Sequence, residues 1–253
     1  MDKVTEIAKM IDHSILHPTL TDDDLKRECK VALKYNVASV CVKPYAVKQA
    51  ADLLKGSDVL VGCVIGFPAG NSAIGVKVFE TETACRDGAV EIDMVINIGK
   101  ALQEDWRYIE EEIKAVVDTS HKFGAITKVI FETDYVTSDE HKIKLCEICS
   151  KVGADYVKTS TGFGFVKGPD GKYFYTGATA HDIILMRKHS APHVKVKAAG
   201  GVRTLTELLK FRELGITRCG ATATLSMLEE AKKLFGVQQI YKLRKVTYIY
   251  EIL

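Results

Sequence analysis

The chain has 253 residues, a length that suits one large single-core domain. Apolar residues make up 47% and charged residues 27% of it, which excludes disorder, collagen and a disulfide-dense miniprotein. The 35 Lys and Arg stand against 33 Asp and Glu, so no broad electrostatic footprint exists for nucleic acid or an acidic membrane, although one anionic pocket remains open. The seven cysteines are odd in number and scattered, as free thiols in a reducing compartment are. Met1-Asp2-Lys3-Val4-Thr5-Glu6 carries acids and no apolar run, unlike a secretory signal. No stretch reaches the ~18 apolar residues needed to span a bilayer. A cytoplasmic protein with no membrane or nucleic-acid partner is expected.

In chain order, a short helix is predicted over about 2–10. β-branched runs then predict strands at 11–14, 39–42, 59–65, 90–95, 127–132, 155–158, 194–197 and 217–220. Between them lie segments of helical spacing, such as Leu25/Cys29/Ala32/Leu33 and Tyr108/Ile109/Ile113/Val116/Val117. Thr21 before Asp22-Asp23-Asp24, and Thr137-Ser138 before Asp139-Glu140, are helix starts with acids at the positive end of the dipole. Gly124, Gly153 and Gly215 fall where helices end. Eight strands at about 30 residues per unit predict a TIM (β/α)8 barrel forming one domain over 1–253. A doubly wound sheet would instead want Gly-x-Gly-x-x-Gly after an early strand, and the chain has none. Residues 164–177 look like an insertion after the sixth strand, and the tail 237–253 matches no element of the barrel.

Charges at strand ends are informative, because barrel chemistry sits there and side chains alternate between lumen and helix layer. That alternation turns Asp93 inward between Ile92 and Met94, and, with Val194 and Val196 outward, turns Lys197 inward. Lys158 ends the sixth strand, and Lys128 and Glu132 share one parity on the fifth. A purely structural lumen would use Val, Ile or Leu, since buried charges are costly unless paired. The plain reading is a buried ion-pair network. The chemical reading is that two crowded ammonium groups lower the pKa of one, making a neutral amine that attacks a carbonyl to form an imine, with an aspartate moving protons. Parity does not choose between Lys158 and Lys197. Gly200-Gly201-Val202-Arg203 and Gly220-Ala221-Thr222-Ala223 each precede a predicted helix, where backbone N–H groups receive an anion.

Other residues read as structural. Cys146 and Cys149 form a Cys-x-x-Cys in mid-helix, where a redox or metal role is not expected. His13 and His17 have no partners in metal-ligand spacing, so no metal is expected, though His13 beside Asp12 could line the pocket. Cys41 is expected in the core; facing the mouth, its thiol would meet the carbonyl compound instead. Trp106 and Glu110-Glu111-Glu112 read as a solvated helix face with one packing aromatic.

Lys158-Thr159-Ser160-Thr161-Gly162-Phe163, Lys197-Ala198-Ala199-Gly200-Gly201-Val202-Arg203 and Glu91-Ile92-Asp93-Met94-Val95-Ile96-Asn97 resemble the deoxyribose-phosphate aldolase family. Asp12-His13, Ser39-Val40-Cys41-Val42, Gly66-Phe67-Pro68 and Lys77-Val78-Phe79-Glu80 extend the likeness from about residue 11 to 235. The resemblance implies a class I aldolase, without a cofactor, that reversibly cleaves 2-deoxy-D-ribose 5-phosphate to acetaldehyde and D-glyceraldehyde 3-phosphate. It further implies that Lys158 forms the Schiff base, Lys197 depresses its pKa and Asp93 carries protons. Asp12, Gly162, Gly200, Gly201, Val202, Arg203, Gly220 and Thr222 fall on its substrate-binding positions. Where the family often carries paired hydroxyl residues this chain has Thr222 and Ala223, which shifts phosphate binding toward backbone N–H groups. Some members use a C-terminal tyrosine, whereas this chain ends Tyr248-Ile249-Tyr250-Glu251-Ile252-Leu253. Partners are then a small phosphorylated sugar, short aldehydes and further copies of the chain. Gly168-Pro169-Asp170-Gly171 predicts a turn within the insertion, which is either a hairpin beside the site, acting as a lid or subunit contact and bringing Lys167 or Lys172 to the phosphate, or equally a solvated excursion with structural aromatics. The competing functions are another imine-forming sugar-phosphate aldolase, a transaldolase-like barrel, and a non-catalytic sugar-phosphate binding protein.

Overall fold

The computed structural model describes residues 2–236; the tail 237–253, with Tyr248 and Tyr250, lies outside the described residues. Ten strands form among the described residues: β1 (Ile11–Ile15), β2 (Ser39–Val42), β3 (Leu60–Ile65), β4 (Glu91–Val95), β5 (Ile126–Ile130), β6 (Tyr156–Lys158), β7 (Val166–Lys167), β8 (Tyr173–Phe174), β9 (Lys195–Ala199) and β10 (Ile216–Ala221). Eight of them close into a parallel barrel in the order β1-β10-β9-β6-β5-β4-β3-β2, while β7 and β8 pair antiparallel as a separate hairpin. The single-domain barrel predicted from the strand count is therefore the fold.

Helices α1 (Lys3–Ala8), α2 (Asp22–Tyr35), α3 (Val47–Leu54), α4 (Ile74–Arg86), α5 (Ile98–Leu102), α6 (Trp106–Lys122), α7 (Asp139–Val152), α8 (Ala180–His189), α9 (Leu205–Glu213) and α10 (Thr224–Ala231) cover the sheet. Their starts follow from side-chain chemistry. Thr21 and Thr204 close reciprocal capping boxes with Asp24 and Glu207, and Ser138 accepts from the His141 N–H. Apolar stripes such as Ile109, Ile113, Val116 and Val117 on α6 then bury against the outward strand residues. Glu112 lies in that same stripe and is fully buried, which corrects the solvated reading of the Glu110–Glu112 run. Its carboxylate meets Lys77 Nζ at 2.6 Å, and Lys77 is fully buried too.

Register sets up the lumen. Asp93 stands opposite Lys128, Ile130 opposite Lys158, Lys158 opposite Lys197, and Asp12 opposite Gly220. Neighbouring strands run about 4.8 Å apart, so these pairings bring charged side chains from five strands into one layer system. β5 stops at Ile130, short of the predicted 132, because Glu132 takes a left-handed backbone (φ 57°) that leaves the strand.

Candidate active site

The deeper lumen holds a closed electrostatic knot. Arg218 donates to Asp12 Oδ1 (2.6 Å) and to both Glu91 oxygens (2.7 and 2.6 Å). Lys128 Nζ reaches Asp12 Oδ2 at 2.8 Å and Glu91 Oε2 at 2.6 Å. All four residues are buried. Mutual attraction outweighs desolvation here: Asp12 is held well below the usual carboxylate range, and Lys128 and Arg218 are held above theirs.

Nearer the mouth, Lys158 and Lys197 share one oxygen. Their Nζ atoms lie 2.7 and 2.6 Å from Asp93 Oδ2. Lys197 has a second carboxylate, Asp12 Oδ2 at 2.5 Å, while Lys158 has no other partner among the described residues. The other Asp93 oxygen makes no hydrogen bond and faces only Lys128 Nζ, at 3.2 Å. Burial lowers the pKa of both lysines, yet the outcomes differ. For Lys197 the two aspartates prevail and the ammonium is stabilised. For Lys158, burial together with the Lys197 charge prevails over Asp93, and the pKa falls. Three carboxylates (Asp12, Glu91, Asp93) face four basic groups (Lys128, Lys158, Lys197, Arg218), so the lumen becomes neutral when one base gives up its proton. The group whose environment favours that loss is Lys158. Asp93 itself stays ionised: the lysines outweigh its burial and hold its carboxyl far below the usual range.

A cavity of about 160 Å³ opens above this cluster at the C-terminal ends of the strands. Lys158, Lys197 and Asp12 line its floor, and Gly162, Gly200, Gly201, Val202, Arg203, Gly220 and Thr222 line its wall and rim. Asp93 lies beneath, reaching the cavity only through the lysines. At Gly220 a Cβ would press on Ala199 Cβ at 3.2 Å, while meeting Lys197 Cε at an ordinary packing distance of 3.5 Å. Gly200 and Gly201 hold left-handed backbone that leads the chain past the cavity to the start of α9.

Several expectations need correction. His13 turns outward, bonding Thr224 Oγ1 (2.7 Å) and Glu28 (3.0 Å), while His17 is the histidine that lines the cavity. Lys172 points to Asp170 in the exposed turn, 4.0 Å away, and neither it nor Lys167 lines the cavity. From the insertion Tyr175 does, together with Phe163 just before it. Cys41 is buried and also lines the cavity, its thiol pushed up to about 11 by burial. Cys146 and Cys149 are buried free thiols on α7, away from the cavity. Asp139, His181 and Asp182 come close enough to ligate an ion, but Lys142 Nζ already lies 3.2 and 2.6 Å from the two acids.

Arg218 and Glu91 were not singled out from the sequence as lumen residues. Each stands two positions before a cavity or cluster residue, Gly220 and Asp93, so the same alternation would have turned them inward. Lys77 gave no such signal.

Closed barrel and paired buried lysines together have the make-up of a lysine-dependent barrel enzyme. Residues 6–227 match the DeoC/LacD family of aldolases. The chain is 47% identical over 235 residues to a deoxyribose-phosphate aldolase of Rhodopirellula baltica, covering 93% of each chain. It is 49% identical over 229 residues to that of Clostridium perfringens (strain SM101), covering 90% of this chain and 96% of the relative. The solved structure of deoxyribose phosphate aldolase from Aeropyrum pernix, described as a unique tetramer, agrees with a TM-score of 0.80 at 26% identity, over 91% of this chain and 93% of that one. The chain belongs to the DeoC/LacD family of aldolases.

Proposed function

We propose that the chain reversibly cleaves 2-deoxy-D-ribose 5-phosphate to acetaldehyde and D-glyceraldehyde 3-phosphate through an imine on Lys158. The observation that carries this reading is the uneven sharing of carboxylates: Lys197 has two and Lys158 only one, with Lys158 bordering the cavity. Lys197 therefore remains a cation, and Lys158 is the amine that can be neutral.

The neutral Nζ attacks C1 of the open-chain sugar, and the carbinolamine loses water to give a protonated imine. The C2–C3 bond then breaks as the 3-hydroxyl gives up its proton, the electron pair entering the imine to leave an enamine and free glyceraldehyde 3-phosphate. Protonation of the enamine carbon and hydrolysis of the imine release acetaldehyde and restore Nζ. Asp93, the carboxylate common to both lysines, is the base at hand for these transfers. Asp12 holds Lys197 and Lys128 in place. At the far end, Gly162, Gly200, Gly201, Val202, Gly220 and Thr222 offer the phosphate small side chains and backbone N–H groups, and Arg203 offers charge. The chain works in the cytoplasm, where its seven unpaired cysteines stay reduced, and assembles with further copies of itself, as the relative described as a tetramer does. Among the described residues no helix is long and apolar enough to cross a membrane.

Borohydride reduction in the presence of deoxyribose 5-phosphate, followed by peptide mapping, tests the proposal. A reduced adduct on Lys158 is expected. An adduct on Lys197 would reverse the assignment of the two lysines, and no adduct would favour a sugar-phosphate binding protein. Detection of acetaldehyde as the small product excludes a transaldolase-like exchange.

A further inference from the structure

The insertion ends at the anion end of the cavity, and three contacts fix it there. Asp134, on the loop after β5, accepts from the Thr176 N–H (2.5 Å) and the Gly177 N–H (3.0 Å). Gly177 is packed so tightly on the loop after β9 that a Cβ on it would come within 2.4 Å of the Gly200 oxygen. The Ala178 N–H donates to that same Gly200 oxygen at 3.0 Å. At its other end the insertion is tied down by Tyr135, whose hydroxyl donates to the Phe165 carbonyl (3.1 Å).

Between these ties Tyr175 is half-buried, lines the cavity, and packs edge-on against Phe165 with ring centroids 5.5 Å apart. Its hydroxyl accepts from Arg203 Nη2 at 3.0 Å. Arg203 has no ion-pair partner among the described residues; the nearby Glu207 carboxylate is engaged by the backbone N–H groups of Arg203 and Thr204. The guanidinium thus keeps its charge for an incoming anion while a neutral phenol fixes where it points. Lys158 and Lys197 lie on the floor with Asp93, which leaves Arg203 as the rim cation.

We infer that Tyr175 is a positioning residue that aims Arg203 at the substrate phosphate, making the insertion 164–177 a determinant of preference for phosphorylated over unphosphorylated sugars. The inference rests on the proposed orientation of the substrate, imine end down and phosphate up. Pre-aiming a long side chain spares the conformational entropy of fixing it on binding, so the benefit falls on affinity for the anion.

Tyr175→Phe keeps the ring contact with Phe165 and removes only the hydroxyl. The dissociation constant of inorganic phosphate, measured by calorimetry, should rise about fivefold, as loss of one hydrogen bond predicts. KM for deoxyribose 5-phosphate should rise by a similar factor, and the preference in kcat/KM over unphosphorylated 2-deoxyribose should fall accordingly. Asp134→Ala, which frees the root of the insertion, should act in the same direction. Lys172→Ala, in the exposed turn, should leave both quantities unchanged. Tyr175→Phe with phosphate affinity and preference both within twofold of the parent would overturn the inference. That outcome with a borohydride adduct still on Lys158 would leave the proposed function standing. Absence of the adduct, with the affinity change observed, would instead sink the proposed chemistry and keep the anion site.

Discussion

Lys77 and Lys158 both lie in the interior, each within 2.7 Å of a carboxylate oxygen, and burial lowers the pKa of each. Lys77 sits outside the barrel, between α4 and α6. Its ammonium donates to Glu112 (2.6 Å) and to the carbonyls of Gly70 (2.7 Å) and Val95 (2.6 Å), which uses all three donors. Lys158 donates to Asp93 alone and borders a cavity. The first lysine is a rivet joining two helices, a loop and the end of β4. The second has capacity left over, and an amine with capacity left over beside a cavity can bond to something else. Burial and a depressed pKa are common to both, so neither makes a nucleophile by itself.

The largest expected effect separates the two directly. Lys158→Ala should lower turnover on the order of 10⁴-fold or more, because no other amine at the floor is free of a second carboxylate. Its unfolding free energy should change little, since Asp93 keeps Lys197 and Lys128. Lys77→Met should do the reverse. It strands the Glu112 carboxylate in the interior and should cost about 3–5 kcal/mol in urea unfolding, with kcat retained in the folded fraction. A stable Lys77→Met protein, or an active Lys158→Ala one, would erase the contrast.

Lys197→Leu sharpens it. The reactive form of Lys158 is the neutral amine, and the Lys197 charge favours that form. Removing the charge raises the Lys158 pKa, so the acidic limb of the kcat/KM profile moves to higher pH and the rate at neutral pH falls roughly 10²-fold. A profile that loses height without moving would mean that Lys197 acts by some other route.

The smallest effect concerns Glu132, a buried carboxyl that has no cation within ion-pair distance among the described residues and instead accepts from Thr161. Burial raises its pKa from 4.5 to about 7 against the opposing Thr161 hydrogen bonds. Between those values the folded protein retains a proton that the unfolded chain has released. Stability should therefore fall as pH rises through this window and then level off. Glu132→Gln should flatten that slope, which urea unfolding at several pH values would read.

Much of the lumen was legible because strand alternation is a strict rule with a period of two. Asp93, Lys128, Lys158 and Lys197 all turn inward as the pattern requires. What parity could not supply is the choice between the two lysines, because that depends on which carboxylates reach each Nζ across the barrel. Glu112 was legible in principle, three residues after Ile109 and four before Val116, but three consecutive glutamates read as solvent-facing. Lys77 was not, because α4 inverts the usual rule, exposing Val76 and Phe79 while burying Lys77 and Thr81. The sequence leaves the reach of the insertion open for a related reason. Its lysines suggested an anion, yet the turn carries them outward, and the residue that faces inward is an uncharged tyrosine.

The near-contact of Gly177 with Gly200 has an evolutionary corollary. With one foot of the hairpin held by Tyr135 and the other packed on Gly200, residues 166–174 form an arch between two fixed ends. Length and composition can drift along that arch while the footings stay put, so the protein carries a ready-made location for acquiring new recognition above a reaction centre that need not change.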